Sequence, residues 1–290
     1  MAQPETDVFV SLERFYDALP RPYSRAEEVG GLVLFVREGE GWPYYARPIV
    51  GAETPSAADI TAVRQRQREL GLPEAFEWVH ETTPGLLAVA RSAGLQVLLA
   101  PLLTLETAAL VPDLPVEGGT IRILDATSAE FPRELAASRA VANLAFGSPA
   151  PVTSSPEGAL IVDVAGPGER DAAVVAAPLG DALVAEFRER AASGGFHTAV
   201  VESPTDGILA SGGVMRVGKV AEIAGVATLP SARRRGYASQ LTATLARQAI
   251  TDGAHLIFLS AGDDDVARLY TKVGFRRIGT ACIAEPAAVF

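Results

Sequence analysis

The sequence predicts an α/β fold with a mixed sheet (α+β), built from two halves of similar design. In the second half, three consecutive apolar runs separated by short turns precede alternating helices and strands, an order typical of a mixed sheet. The element types of the first half recur in the second at a constant offset, which places position 57 on position 237. A length of 290 residues also favours two domains.

Seven elements are predicted in the first half. Helices are predicted where apolar residues recur at helical spacing and stop at glycine or proline, and strands where β-branched and apolar residues form short runs. The order is helix 8–19, strand 31–37, strand 42–50, helix 57–70, strand 76–79, helix 84–93 and strand 95–105.

The second half contains a longer series of elements. Segments 148–157 and 166–170 are rich in Pro, Ser or Gly and are predicted as a loop and a turn. The other elements are strand 120–124, helix 131–145, a strand or buried run at 160–164, helix 179–192, strands 196–202, 207–217 and 219–228, helix 239–250, strand 256–260, helix 266–273 and strand 275–284.

Residues 107–119 contain two prolines and a Gly-Gly pair, a composition typical of a linker. We therefore predict domain 1–106, linker 107–119 and domain 120–290.

The composition excludes several classes of protein. With 48% apolar residues and a net charge of −10, the chain is predicted to be globular and to lack the basic face that nucleic acid requires. Its single cysteine excludes an internal disulfide, and its three histidines lack metal-ligand spacing. The apolar run 97–105 is too short to span a bilayer, and segment 1–9 lacks a signal-peptide pattern. We expect a cytoplasmic protein without metal, nucleic-acid or membrane partners.

The stretch 225–238 predicts an anion-binding site. A strand is followed by three consecutive arginines, Gly236 and small residues that open a helix. The first turn of a helix has backbone N–H groups without partners and carries the positive end of the helix dipole. Gly236 lets a ligand approach the backbone closely, and the arginines add positive charge where a phosphate would lie.

Two segments resemble the signatures of one family. Segment 233–238, Arg-Arg-Arg-Gly-Tyr-Ala, resembles the Q/R-x-x-G-x-G/A loop with which the GNAT superfamily of N-acetyltransferases holds the pyrophosphate of acetyl-CoA. Segment 266–275, Val-Ala-Arg-Leu-Tyr-Thr-Lys-Val-Gly-Phe, resembles the second signature, A-x-x-L-Y-x-K-x-G-F, in the expected order and at the expected distance. The resemblance covers residues 119–290. Together with the repeat, it implies two tandem acetyltransferase-like domains, of which the second is complete.

The resemblance implies a site for acetyl-CoA in the second domain. Backbone groups of Val226 and Thr228 are expected to pair with the pantetheine arm. Asp263 stands where family members often carry an asparagine that contacts the pantetheine. Aspartate lacks the donor, and a helix-capping role is favoured there. The predicted cofactor-binding residues are Val226, Thr228, Arg233, Arg234, Arg235, Gly236, Tyr237, Ala238 and Asp263.

Two residues are candidates for catalysis. Tyr270, in the second signature, is the candidate general acid that protonates the departing thiolate; the alternative is an aromatic ring that packs a helix face. Glu222, fourteen residues before Gly236 in an otherwise apolar strand, matches the position of a catalytic glutamate in some family members. Glu222 is the candidate base, and a structural carboxylate paired with an arginine is an equal alternative. Glu202, at the end of a neighbouring strand, is a weaker candidate for the base.

The first copy is predicted to be degenerate. The same offset places segment 53–58, Glu-Thr-Pro-Ser-Ala-Ala, on the arginine loop, and places Ala90 on Tyr270. The basic residues, the glycine and the phenol are therefore lost.

The sequence thus predicts an acetyl-CoA-dependent N-acetyltransferase that acts on a small-molecule primary amine by direct attack in a ternary complex. A non-catalytic acetyl-CoA-binding sensor or scaffold is the main alternative. A nucleotide-phosphate-binding protein of another fold is a weaker one, because the sequence has no Walker-type lysine. The oligomeric state stays open, with a homodimer as one option.

Overall fold

The computed structural model describes residues 5–41, 43–147 and 164–287, with side chains from residue 8 onwards. The chain forms two compact units. Unit 1 comprises Met1–Thr104, Phe258–Arg268 and Arg276–Phe290, and unit 2 comprises Leu105–Ile257 and Leu269–Phe275. The loop predicted at 148–157 and the run predicted at 160–164 fall outside the described residues, except for Val164.

In unit 1, strands β1 (Ser24–Val29), β2 (Leu32–Arg37) and β3 (Arg47–Pro48) form an antiparallel three-stranded sheet. β1 escapes the sequence prediction because most of its residues are polar and it lies at the edge of the sheet. β3 is much shorter than the predicted strand 42–50, which is a correction. The prolines in this segment shorten the strand because they cannot donate ladder hydrogen bonds. The first half also contains α1 (Glu5–Ala18), α2 (Ala57–Glu69), β4 (Phe76–Val79), α3 (Leu86–Ser92) and β5 (Leu95–Leu105).

The second half begins with the elements that build the core of unit 2. They are β6 (Thr120–Ile123), α4 (Phe131–Phe146), α5 (Pro167–Ala176), α6 (Asp181–Ala192), β7 (Phe196–Ser203), β8 (Gly207–Val217), β9 (Val220–Thr228) and α7 (Tyr237–Thr251). Strands β6, β7, β8 and β9 pair antiparallel in chain order.

The chain ends in β10 (Leu256–Ser260), α8 (Asp264–Val273) and β11 (Phe275–Pro286). Among the described residues, the large sheet has eight strands in the order β4-β11-β5-β10-β9-β8-β7-β6. This mixed α/β architecture confirms the predicted fold class.

Helix α5 corrects the turn predicted at 166–170. Gly166 is the N-cap residue, Pro167 is the first helical residue, and the Glu169 carboxylate accepts a hydrogen bond from the Gly166 N–H at 2.8 Å. Proline at this position and glutamate two residues later are signals for the start of a helix. The sequence therefore contained the signal for the start of α5, but Gly166 and Gly168 favoured the prediction of a turn.

The constant offset between the halves is visible in the elements themselves. Ala57, Phe76 and Leu95 are the first residues of α2, β4 and β5, and the offset places them on Tyr237, Leu256 and Phe275, the first residues of α7, β10 and β11. The predicted domains 1–106 and 120–290 stay a prediction. The two compact units of the structure are defined by contacts and do not test whether the two halves arose by duplication.

A buried charge cluster lies in unit 1. The Arg47 guanidinium is 3% exposed and donates hydrogen bonds to Glu13 at 3.1 Å and Glu77 at 2.9 Å. It also lies 4.1 Å above the centre of the Tyr16 ring. Glu13 in turn accepts a hydrogen bond from the Val79 N–H at 2.6 Å, so the cluster joins α1, β3 and β4. Burial raises the pKa of Glu77, with Arg47 opposing that rise.

We predict that Arg47→Met destabilises the protein by about 3–5 kcal/mol, because two buried carboxylates lose the cation that they share. Glu77→Gln is the matched control and costs far less, since an amide replaces a carboxyl whose pKa burial already raises. Urea unfolding followed by circular dichroism measures both. Equal losses in the two variants would contradict the assigned role of Arg47.

Candidate functional site

A β-bulge interrupts the pairing of β9 with β8. Ser211 lies opposite Ala227 and Gly213 opposite Ala224, so Gly225 and Val226 together oppose Gly212. Gly225 has a φ of +65°, which glycine adopts without strain. A bulge leaves backbone groups outside the regular ladder and re-aims the strand. Gly225 is thus a site residue that the sequence reasoning missed, although an isolated glycine in a predicted strand is a signal for a bulge.

The predicted pantetheine residues lie at and after this bulge. Val226 is part of it, whereas Thr228 stays in the ladder opposite Ala210. The ladder continues one residue further, where the Leu229 N–H donates to the Leu209 carbonyl at 2.9 Å. The backbone groups of Thr228 that face β8 are therefore used in the ladder, whereas those of Val226 in the bulge are more available to a ligand.

The arginine loop is conformationally strained. Arg234 has a φ of 67° and is the only non-glycine residue with positive φ in the described ranges. Gly236 has a φ of 77°, also in the left-handed region. A left-handed arginine costs roughly 1–2 kcal/mol, and such strain concentrates at functional sites.

The N-terminus of α7 is open and electropositive. Its N-cap is Gly236, which has no side chain to cap the helix, and its first turn contains no acidic residue. Arg234 and Arg235 are exposed beside it. The backbone N–H groups, the dipole of a 15-residue helix and two exposed arginines therefore lie at the same end of α7.

Two side chains of the predicted site face elsewhere. Arg233 donates a hydrogen bond to the Ala145 carbonyl in the last turn of α4 at 2.9 Å. Tyr237 is 1% exposed, and its hydroxyl donates to the Glu117 carbonyl at 2.7 Å. Tyr237 can offer a ligand its backbone N–H but not its phenol. The cofactor roles of the loop residues, Ala238 included, remain predictions.

The corresponding helix of the first copy is closed. At α2, Ser56 and Asp59 form a capping box: the Asp59 N–H donates to Ser56 Oγ at 3.2 Å, and the Asp59 carboxylate accepts from the Ser56 N–H at 2.8 Å. Hydrogen bonds from Ser56 lower the pKa of Asp59, so the carboxylate is ionised. A fixed negative charge thus lies in the first turn of α2, where the same offset places Ser239 of α7, and it repels phosphate.

Tyr270 is buried on α8. It is 7% exposed, and its ring lies edge-on to Phe275 with centroids 6.3 Å apart. Burial raises the pKa of its phenol to about 12. The phenol therefore carries its proton at any physiological pH and can only donate it.

Glu222 is buried on the α4 face of the sheet. On β8, Ser211 donates a hydrogen bond to the Ser138 carbonyl of α4 at 2.8 Å, so this face of the strand packs on α4. Met215 shares that face because side chains alternate along a strand, and Glu222 lies opposite Met215. At 8% exposure, Glu222 has the burial expected of a base, and also that of a structural carboxylate.

Asp263 caps α8. Its carboxylate accepts a hydrogen bond from the Val266 N–H at 2.8 Å, and its carbonyl accepts from the Ala267 N–H at 2.9 Å. The capping role favoured from the sequence is present, and a cofactor contact remains a prediction. The neighbouring Asp264 pairs with Arg277 at 3.0 Å.

Two other kinds of site receive no support within residues 5–41, 43–147 and 164–287. None of the helices there combines the length and the hydropathy that spanning a bilayer requires. Histidine, cysteine, aspartate and glutamate side chains there form no group of three or more that could hold a metal ion.

Comparison with known proteins gives one family match and several structural relatives. Residues 206–284, which contain the bulge, the arginine loop and Tyr270, match the family model described as FR47-like protein. A GCN5-related N-acetyltransferase from Kribbella flavida has a TM-score of 0.68 at 22% identity, covering 97% of this chain and 96% of its own. No curated protein matches the chain.

Two further structures span both halves of the chain. A tandem GNAT protein from the clavulanic acid biosynthesis pathway has a TM-score of 0.51 at 12% identity, covering 90% of this chain and 80% of its own. A GCN5-related N-acetyltransferase-like protein from Streptococcus suis 89/1591 has a TM-score of 0.51 at 12% identity, covering 97% and 99%. These likenesses confirm the GNAT fold, in tandem form, that the two signature segments predict.

We predict that Tyr270→Phe removes one phenol with a pKa of about 12 from the alkaline titration of the protein. Because the pKa is raised by folding, the neutral phenol stabilises the protein below pH 10, and this contribution is lost as the pH rises from 10 to 12. Absorbance at 295 nm, taken as wild type minus variant, measures the titration. A difference curve centred near 10 would show that Tyr270 is not buried.

Proposed function

We propose that this protein, which has the tandem GNAT fold and matches the FR47-like model over residues 206–284, is an acetyl-CoA-dependent N-acetyltransferase. Its substrate class is a small molecule with a primary amine. One observation carries the proposal, and it concerns the N-terminus of α7. Its N-cap residue, Gly236, has no side chain that could cap the helix, its first turn contains no acidic residue, and exposed arginines lie beside it.

The residues of the α7 loop fit a diphosphate. The N–H groups that follow Gly236 and the guanidinium groups of Arg234 and Arg235 supply charge-assisted hydrogen bonds to phosphate oxygens. The bulge at Gly225 and Val226 supplies backbone groups at the end of β9, where the amide-bearing pantetheine arm can pair as a short strand does. Both features belong to the second copy, so we assign one acetyl-CoA to each chain.

The proposed reaction is a direct transfer. The amine nitrogen of the acceptor attacks the thioester carbonyl, the C–S bond breaks, and the acetyl group forms an amide with the acceptor. Glu222 takes the proton that the amine releases, and Tyr270 gives its proton to the departing thiolate. A phenol with a pKa of about 12 is protonated at neutral pH, so in this reaction it can act as an acid and not as a base. Holding both reactants together supplies much of the rate by proximity.

The acceptor is proposed to be a small amine because of the charge of the chain. A net charge of −10 attracts a cationic amine and disfavours polyanions such as nucleic acid. The cytoplasm is the compartment that supplies acetyl-CoA and suits the single, buried, unpaired Cys282.

We predict that Arg235→Glu weakens coenzyme A binding at least tenfold, because an anion replaces a cation beside the proposed diphosphate. Isothermal titration calorimetry with coenzyme A measures the dissociation constant. Arg91→Glu is the matched control, since it makes the same charge change at an exposed residue of α3. Equal weakening of coenzyme A binding in both variants would show that the effect comes from the net charge of the protein and not from Arg235 itself. No binding by the wild type would overturn the proposal.

We predict that Tyr270→Phe lowers kcat for acetyl transfer about 10²-fold or more while the KM for acetyl-CoA changes less than about twofold. Release of free thiol in a screen of primary amines measures turnover. Tyr44→Phe, which removes a phenol from unit 1, is the control and leaves kcat unchanged. Tight acetyl-CoA binding without turnover on any amine would favour a non-catalytic acetyl-CoA sensor instead.

A further inference from the structure

Residues 106–117 run along α7 as an exposed strap that is held by hydrogen bonds. Near its start, the Glu106 N–H donates to the Gly274 carbonyl at 3.0 Å and the Val111 N–H donates to the Val273 carbonyl at 3.1 Å. The strap then meets α7 three times. Arg247 donates to the Val111 carbonyl, Gln240 Oε1 accepts from the Leu114 N–H at 3.1 Å, and the Tyr237 hydroxyl donates to the Glu117 carbonyl at 2.7 Å.

The three contact residues on α7 share one face of the helix. Tyr237, Gln240 and Arg247 are separated by three and seven residues, which a period of 3.6 residues per turn places on one side. The strap passes them in reverse chain order, so it runs antiparallel to α7 and ends at its first residue. Leu114 is 52% exposed, and hydrogen bonds rather than burial therefore hold the strap in place.

The end of the strap, where Glu117 accepts the hydrogen bond from Tyr237, leaves room for the phenol. Tyr237 is 1% exposed, although it immediately follows the exposed Gly236. Gly118, next to the acceptor Glu117, has a φ of +72°, and a Cβ built there would lie 3.7 Å from the Tyr237 hydroxyl oxygen. A Cβ at Gly119 would lie 3.0 Å from a methyl of Val201. The Gly-Gly pair thus lets the strap turn closely around the phenol and enter β6.

The structure assigns Tyr237 a positioning role: its phenol fixes the first turn of α7 to the strap, so that the N–H groups after Gly236 are held ready for an anion. This inference rests on the proposed function, since it concerns the same anion site. The first copy has Ala57 at the equivalent position, and its helix is closed by Ser56 and Asp59 instead. Because coupling is reciprocal, an anion bound at α7 also orders the strap.

The test compares Tyr237→Phe with the wild type in two measurements. Hydrogen–deuterium exchange without ligand reports whether the strap and residues 236–240 loosen. Calorimetry with coenzyme A reports the dissociation constant. Loss of one buried hydrogen bond predicts faster exchange in both segments and about three- to tenfold weaker binding of coenzyme A.

Two further variants separate the phenol contact from general damage to α7. Thr244→Val removes a hydroxyl that donates to the Gln240 carbonyl within the helix, and leaves both segments and the affinity unchanged. Gly118→Ala keeps the phenol of Tyr237 but strains the turn beside the acceptor carbonyl, with its new Cβ in ordinary van der Waals contact with the Tyr237 hydroxyl, and reproduces the effect of Tyr237→Phe. Gly118→Ala also keeps the inference testable if Tyr237→Phe fails to fold.

The outcomes are distinct. Wild-type exchange and affinity in both Tyr237→Phe and Gly118→Ala would overturn the positioning role, as would an equal effect in Thr244→Val. Faster exchange with unchanged affinity would also overturn it, because the strap would then be only structural. If the wild type binds no coenzyme A, the proposed function fails, and exchange in the ligand-free protein still shows whether the phenol fixes the first turn.

Discussion

The backbone N–H groups in the first turn of a helix need acceptors, and the two repeated helices α2 and α7 meet this need in opposite ways. At α2, Ser56 and Asp59 supply the acceptors from the helix itself. At α7, Gly236 supplies no side chain, and the neighbouring arginines add positive charge. The strained Arg234, the bulge in β9 and the strap that fixes Tyr237 all lie next to this open end. Together these features support the anion site that we propose for the second copy.

The first copy contains two sets of internal polar contacts. The capping box closes its helix, and Glu13, Arg47 and Glu77 bury charge between α1, β3 and β4. At the equivalent positions of the second copy the chain has Ser193, Ala227 and Ile257, so the charge cluster is specific to the first copy. Removal of one partner from such a buried cluster is strongly destabilising because it leaves uncompensated charge behind.

Much of the second copy could be predicted from its sequence because its elements are regular and amphipathic. The helix, strand and strand that begin at Tyr237, Leu256 and Phe275 were each located to within about two residues. The sequence analysis did not locate the charged edge strand β1 or the bounds of the short strand β3, which contains a proline. The formation of these strands depends on pairing partners that apolar spacing does not reveal. Helix α5 was missed because two glycines outweighed its start signals.

Within the candidate site, the sequence identified the loop but not the direction of its side chains. Three consecutive arginines look equivalent in sequence, yet Arg233 bonds to the end of α4 while Arg234 and Arg235 are exposed. Tyr237 likewise appeared to be a loop residue, and its phenol contacts a carbonyl 120 positions earlier in the chain. Such long-range contacts depend on how elements pack, which local motifs do not encode.

The most direct test of this account is a crystal structure of the protein with coenzyme A at millimolar concentration. We predict one coenzyme A per chain, with its diphosphate on the N–H groups after Gly236 and within reach of Arg234 and Arg235. The capping box of Ser56 and Asp59 should stay intact, with no phosphate at α2. A diphosphate at α2, or one bound away from α7, would contradict the account.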